Sequence, residues 1–432
     1  MKKANLVWMA ALAAVGLAGV TAGTLLPVSA AVAAEKEKAP AKPKLSPDVA
    51  KPLMAAQAAI TAKNWDEAVA RIADAAAVEP KTPYDAYMVD ELGWYANLQK
   101  KDYAKSAEML ERALASGFVP EADRQQRLRA LTQLNLQIKQ YAKAQQFGDE
   151  YLKLNPGDTE IGVQLAQARY LTGDVAGAKA AAEKITLSMP KPPEQALLVA
   201  LRANYELKDG SGVMRALESL VRNYPQPKYW EDLLNNQLFR TKDERGLRAL
   251  YRLMNDTGTL DKGEEYAEMG STLITGGFPN EAKQVLERGM AAGVFSGDAK
   301  GRAQADLDRA RSGAALDAKE LATAASQLAA AKTPLQMVGI GKLYFSAGQY
   351  AQAVDALQKG IAKGGLKPED LDDANLLIGI ANARQDKAAE ANTALDLVKN
   401  PTLAEIAKLW KLKLLTTSAA PAPAPAATPP AG

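Results

Sequence analysis

The chain has 432 residues, 47% hydrophobic and 24% charged, with 53 basic against 50 acidic side chains and neither cysteine nor histidine. The two absences remove thiolate nucleophiles, disulfides, imidazole bases and Cys or His metal sites. The near balance of charge gives no overall drive toward nucleic acid or an anionic membrane, so function is left to shape or to Ser, Lys, Asp and Glu.

Lys2 and Lys3 precede an uncharged run from Ala4 to Ala34, apolar through Leu6 to Val20 and broken at Gly23, Pro27 and Ser29. This is the layout of a bacterial secretory signal peptide over residues 1–33, with Ala31, Val32 and Ala33 as the A-x-A cleavage site. The run is also long enough to be a retained anchor, but Gly16, Gly19, Gly23 and Pro27 weaken a stable span. Lipidation at the cleavage point needs a cysteine. The expected product is therefore a soluble periplasmic protein of a Gram-negative bacterium, without a stable membrane anchor after cleavage.

Residues 34–52 are rich in Lys, Pro and Ala, and Pro40, Pro43, Pro47 and Pro52 oppose a helix, so a flexible linker is expected. From residue 53 to 400 nearly every segment has helical periodicity, and the punctuation recurs: Pro156, Pro190 and Pro225 fall 34 and 35 residues apart. A period near 34 predicts paired helices stacked in a solenoid of about ten pairs. Residues 298–332 keep helical length but not the recurring residues. Thr402 to Leu415, with Trp410, predicts a capping helix over residues 401–417, and residues 418–432 read as a disordered Ala/Pro tail.

The sharpest unit runs from Thr333 to Gly365 and carries Ile340, Gly341, Tyr344, Gly348, Tyr350, Ala353, Leu357 and Gly360; Tyr141, Ala144 and Pro156, Gly173, Ala178 and Pro190, and Trp65, Ala68, Ala75 and Pro80 echo it. In these residues the chain resembles the tetratricopeptide repeat (TPR) family. The resemblance implies an all-α fold, a right-handed α-solenoid of helix-turn-helix repeats. Small Gly341 and Ala353 would sit where two helices cross, with Tyr344, Tyr350 and Leu357 filling the wedge beside them.

The candidate chemistry is sparse. Ser188-Met189-Pro190-Lys191 matches S-x-x-K, but on a turn and without the companion motifs. Gly339-Ile340-Gly341 lies in a helix and reads as packing. The clusters Glu264, Glu265, Glu268 and Asp370, Asp372, Asp373 could act on glycosides or hold a hard cation. Each opens a helix, however, so capping is the expected role. Glu218-Ser219 has no catalytic domain beside it. Arg240, Lys242, Arg245, Arg248 and Arg252 could form a basic patch, but Asp243 and Glu244 interrupt it and a solvated face is expected.

The resemblance also implies a concave groove made by the first helix of each pair. Its positions fall on Gln126, Arg129 and Gln133, on Gln167 and Tyr170, on Arg202 and Tyr205, and on Lys228, Glu231 and Asn235. Such a polar strip suits an extended peptide or a tail carrying negative charge, although ordinary solvated helix positions give the same pattern. The expectation is a non-enzymatic protein-binding adaptor with no cofactor and no nucleic-acid partner. The alternatives are a carboxylate-dependent cell-wall or polysaccharide enzyme, or a structural spacer of the envelope.

Overall fold

Residues 43–418 are described by a computed structural model. The expected signal peptide, most of the linker and the tail from residue 419 lie outside the described residues. Contacts divide the chain between Asp209 and Gly210 into two units.

The first unit contains α1 (Pro47–Thr61), α2 (Trp65–Ala77), α3 (Pro83–Gln99), α4 (Tyr103–Ala115), α5 (Glu121–Gln137), α6 (Tyr141–Leu154), α7 (Thr159–Leu171), α8 (Val175–Leu187) and α9 (Glu194–Glu206). The second contains α10 (Gly210–Asn223), α11 (Pro227–Arg240), α12 (Glu244–Thr257), α13 (Gly263–Thr275), α14 (Pro279–Ala291), α15 (Gly297–Leu321), α16 (Ala324–Ala330), α17 (Pro334–Ser346), α18 (Tyr350–Lys363), α19 (Pro368–Ala383), α20 (Ala388–Leu395) and α21 (Pro401–Ser418). The described residues are all-α and include no strand.

One turn builds the pairs. Lys63, Lys101, Lys139, Gly173 and Lys208 in the first unit, and Gly277, Gly348 and Asp386 in the second, adopt left-handed backbone with φ between 57° and 86°. The next amide then donates to the carbonyl five residues back, as from Asp102 to Asn97, Gln140 to Asn135 and Gln349 to Tyr344, at 2.8 to 2.9 Å. This closes the first helix with a Schellman turn. The side chains of Asn64, Asp102 and Asp174 at once accept an amide of the second helix and start it.

Where the helices of a pair cross, space is rationed. Ala68, Ala144, Ala178, Ala282, Ala353 and Ala391, each five residues after the left-handed residue, are completely buried. A Cβ on Gly270, Gly341 or Gly379 would come within 2.6 to 2.7 Å of Leu286, Leu357 or Leu395. In α5 and α6 the large and small partners are exchanged: a Cβ on Gly148 would lie 3.0 Å from Thr132 Cγ2. Gly341 is thus packing, as expected, whereas Gly339 faces open space.

Three expectations need correction. Helix α1 begins at Pro47, inside the expected linker. Proline at the first helical position loses no intrahelical bond, and Val49 is fully buried. The basic stretch is not a solvated face, because Arg248 and Arg252 are only 6% and 2% exposed. Arg252 pairs with Glu281 at 2.7 Å and Arg245 with Asp370 at 3.0 Å. The long side chains carry charge across the unit to acids that are distant in sequence, which local charge patterning does not reveal. Thirdly, the acids of α19 do not all cap their own helix. Asp372 accepts the amides of Lys399 and Asn400, and Asp373 lies 2.6 Å from Lys342 Nζ. Glu265 does cap α13, through the amide and ammonium of Lys262.

The degenerate stretch forms the single 25-residue α15, packed on both α13 and α14, followed by short α16. Helix α21 packs on α10, α12, α19 and α20. Its Trp410 is fully buried, and the indole N–H donates to Ala249 O at 3.2 Å. None of the helices among the described residues is long and apolar enough to cross a membrane.

Candidate functional site: the groove of the first unit

The left-handed residue fixes the register of every first helix. Counting back from it, Tyr95, Gln133, Gln167 and Arg202 each stand six residues earlier on α3, α5, α7 and α9. Leu98, Leu136, Tyr170 and Tyr205 stand three earlier, and Glu91, Arg129, Val163 and Leu198 ten earlier. Successive first helices therefore present three parallel rows. All four side chains of the first row are half-buried, and Tyr205 is 47% exposed. A row held between core and solvent is positioned by its neighbours yet still reachable.

In the second unit the same register is filled only in part: Ile380 of α19 is buried, whereas Ser271 of α13 and Lys342 of α17 are half-buried like the row of the first unit. Phe345 of α17 and Asp373, Leu376, Ile380 and Ala383 of α19 are all buried. The Arg252 guanidinium lies 4.8 Å above the Phe345 ring and 4.2 Å from that of Phe278, and α21 packs along α19. The register is thus closed on α19 and in part on α17, and stays half-buried on α13.

At the α3 end, Glu91 accepts Trp94 Nε1 at 3.2 Å and pairs with Arg127, whose guanidinium stacks 5.0 Å above the Trp94 ring. Beside it the rings of Tyr84, Tyr87 and Phe118 meet at 5.4 to 5.9 Å. Burial first, then the negative Glu91, push the Tyr87 phenol up to about 12. Sequence reasoning missed Tyr95, Glu91, Arg127 and this aromatic cluster, because it took its register from Pro156, Pro190 and Pro225, which lie after later pairs. The left-handed Lys101 was the available signal, hidden by the expectation that glycine takes that place.

Arg129 lies on the groove face but is already held: Nε donates to Asp158 at 3.1 Å and Nη2 to Glu160 at 2.8 Å. Tyr151 donates to the same Asp158 oxygen at 2.7 Å. Burial opposes ionisation of Asp158, yet the bonds from Tyr151, the Ile161 amide and Arg129 prevail and hold its carboxyl below the usual range. This network clamps α5 to α7 and leaves Arg129 little capacity for a ligand carboxylate. Tyr170 bonds Glu206; burial, then Glu206, raise its phenol, and Arg202 opposes them. Gln126 is exposed at the rim, whereas Gln133 and Gln167 are half-buried in the row.

The three remaining expected residues belong to the second unit. Lys228 Nζ sits 4.6 Å above the Tyr229 ring, Glu231 lies 4.0 Å from Lys262 Nζ, and Asn235 is half-buried on α11. Ser188 Oγ donates to Ile185 O at 2.8 Å in the turn after α8. Among the described residues no group of three or more acidic side chains is placed to hold a metal ion.

Residues 135–205, from the end of α5 into α9, match the family model of the tetratricopeptide repeat. Among solved structures the chain is similar to YrrB, described as a TPR protein with an unusual peptide-binding site (16% identity, 42% of this chain and 89% of that one, TM-score 0.32). It is also similar to a tetratricopeptide repeat protein from Parabacteroides merdae (12% identity, 76% and 98%, TM-score 0.30) and to PilF of Pseudomonas aeruginosa (14% identity, 41% and 92%, TM-score 0.25). No curated protein sequence matches the chain.

Proposed function

From the resemblance of this chain to tetratricopeptide repeat proteins, we propose that it is a non-enzymatic adaptor that holds an extended segment of a partner protein in the groove of its first unit. The observation that carries this reading is the half-buried row Tyr95, Gln133, Gln167 and Arg202, which four successive first helices present in one register. The two glutamines offer amide donors and acceptors to an extended backbone, while Tyr170, Tyr205 and Leu198 offer apolar surface beside them. Because Arg129 is engaged by Asp158 and Glu160, backbone and apolar contacts dominate over capture of negative charge.

The signal-peptide layout of residues 1–33 supports a periplasmic setting, and hence an envelope-associated partner. Lys228, Glu231 and Asn235 drop out of the proposed site. The test is site-specific photocrosslinking in cells, with the crosslinker at Gln133 or Gln167 and, as control, at Ser271, which holds the same register on α13. Recovery of one partner from the first two positions alone, abolished by Gln133→Ala with Gln167→Ala and Tyr170→Ala, supports the reading. Equal recovery from all three positions, or none, overturns it.

A further inference from the structure

Four of the five left-handed residues that close the first helices of the first unit are lysines, at φ 57° to 64°, where Gly173 shows that glycine serves the same turn. An L-residue is strained in this region and glycine is not. The turn alone therefore gives no reason for lysine. Lys63, Lys101, Lys139 and Lys208 are all exposed, and none of their side chains makes a hydrogen bond or ion pair within the described residues.

These turns lie along one edge. Asp66 at the first turn pairs with Lys100 at the second (2.6 Å), Gln145 after the third bonds Thr172 at the fourth (3.2 Å), and Lys179 after the fourth pairs with Asp209 at the fifth (2.5 Å). The same contacts spend the acids of the edge. Asp66 and Asp209 are in ion pairs, Glu67 pairs with Arg71, and Asp102 and Asp174 accept the amides of Lys105 and Gly177. The edge is left with four unpaired lysine ammonium groups against two carboxylates, Asp102 and Asp174, that keep their charge, a surplus of cation. Leu171 and Leu207, beside the fourth and fifth turns, are 47% and 44% exposed.

We propose that this edge docks on an anionic lipid surface, the four lysines against the headgroups and Leu171 and Leu207 at the boundary with the acyl chains. A row of cations alone would serve any polyanion; two exposed leucines at its α7–α9 end fit a lipid interface better than a nucleic acid or a sulfated glycan. The near-zero charge of the whole chain does not oppose this, because attraction acts over roughly 10 Å, the screening length, and is set by the charges at the edge.

The test is binding of the full chain to phosphatidylcholine vesicles with and without phosphatidylglycerol, read as the gain in affinity that the anionic lipid confers. Every variant retains the apolar run of residues 4–34, so its contribution cancels. Changing Lys63, Lys101, Lys139 and Lys208 together to glycine, which fits the left-handed turn, is expected to lower the gain by roughly 100-fold or more, at about fivefold per lysine. Changing Lys300, Lys319, Lys332 and Lys363 to glutamine removes equal charge from the second unit and is expected to leave the gain intact. Leu171→Ser with Leu207→Ser should weaken the binding that persists at high salt. No anionic gain in the wild type, an unchanged gain in the glycine variant, an equal loss in the glutamine variant, or binding to heparin or single-stranded DNA in place of vesicles overturns the proposal.

Discussion

Arg252 of α12 grips both carboxylate oxygens of Glu281 of α14, with Nε at 3.1 and 2.9 Å and Nη2 at 2.7 Å, and the pair is sealed from solvent. Arg384 adds a bond to Glu281 at 3.0 Å and pairs with Asp256 at 2.9 Å, tying α19 to α12 across the second unit. Burial opposes the charged carboxylate, but the two guanidinium groups prevail and hold Glu281 below the usual range. Removing one partner of such a cluster strands the others in a dry interior. Glu281→Ala is expected to destabilise the second unit by about 3–5 kcal/mol, measured by chemical denaturation. A loss below about 1 kcal/mol would show that water reaches the arginines and that the cluster is no lock.

The left-handed lysines make a stability prediction of opposite sign. Lys101→Gly or Lys139→Gly relieves the backbone strain at a small cost in unfolded-chain entropy, and each is expected to stabilise by about 0.5–1 kcal/mol. The denaturant midpoint should rise for both, and Gly173→Lys should lower it. A fall on Lys101→Gly would mean that the lysine stem packs on the fold in solution.

The Gly341 and Leu357 contact predicts a cavity-dependent rescue. Gly341→Ala places Cβ 2.7 Å from Leu357 Cγ and should cost about 1–3 kcal/mol through overpacking. Leu357→Ala alone should cost about 2–5 kcal/mol. The double variant should be more stable than the sum of the two losses implies, because each relieves the other. Strict additivity in a double-mutant cycle would remove the crossing point from the account of the fold.

Asp85 links pH to the docking of the first helix. Burial pushes its carboxyl up, but bonds from the amide and hydroxyl groups of Ser46 and Thr82 prevail and hold it at about 2. A folded-state pKa below that of the unfolded chain stabilises above about pH 4, and the contribution fades as pH falls toward 2. Asp85→Ala should cost about 1–3 kcal/mol at neutral pH, and the gap to wild type should close between pH 4 and 2. A gap independent of pH would assign the loss to packing instead.

Much of the architecture was legible in residue spacing. Pro156, Pro190 and Pro225 do fall in turns between pairs, and Ala68, Ala144, Ala178 and Ala353 do sit fully buried at crossings. The positions Gln133, Gln167, Tyr170, Arg202 and Tyr205 also share one register, because a helix returns residues three, four and seven apart to one face. Which of those side chains is available was not legible. The clamp of Arg129 by Asp158 and Glu160 depends on the next repeat being stacked in place.

The sequence by itself determined the helix-turn-helix repeat, its small crossing residues and its freedom from histidine and cysteine chemistry, since these are set by composition and by local backbone geometry. Only the tertiary structure decided that this register is buried at Ile380 on α19 of the second unit and half-buried at Tyr95, Gln133, Gln167 and Arg202 of the first. That outcome rests on Arg245, Arg252 and Arg384 meeting Asp370, Glu281 and Asp256. Some of these partners lie more than a hundred residues apart, and long flexible side chains meet such partners only once the helices between them have stacked.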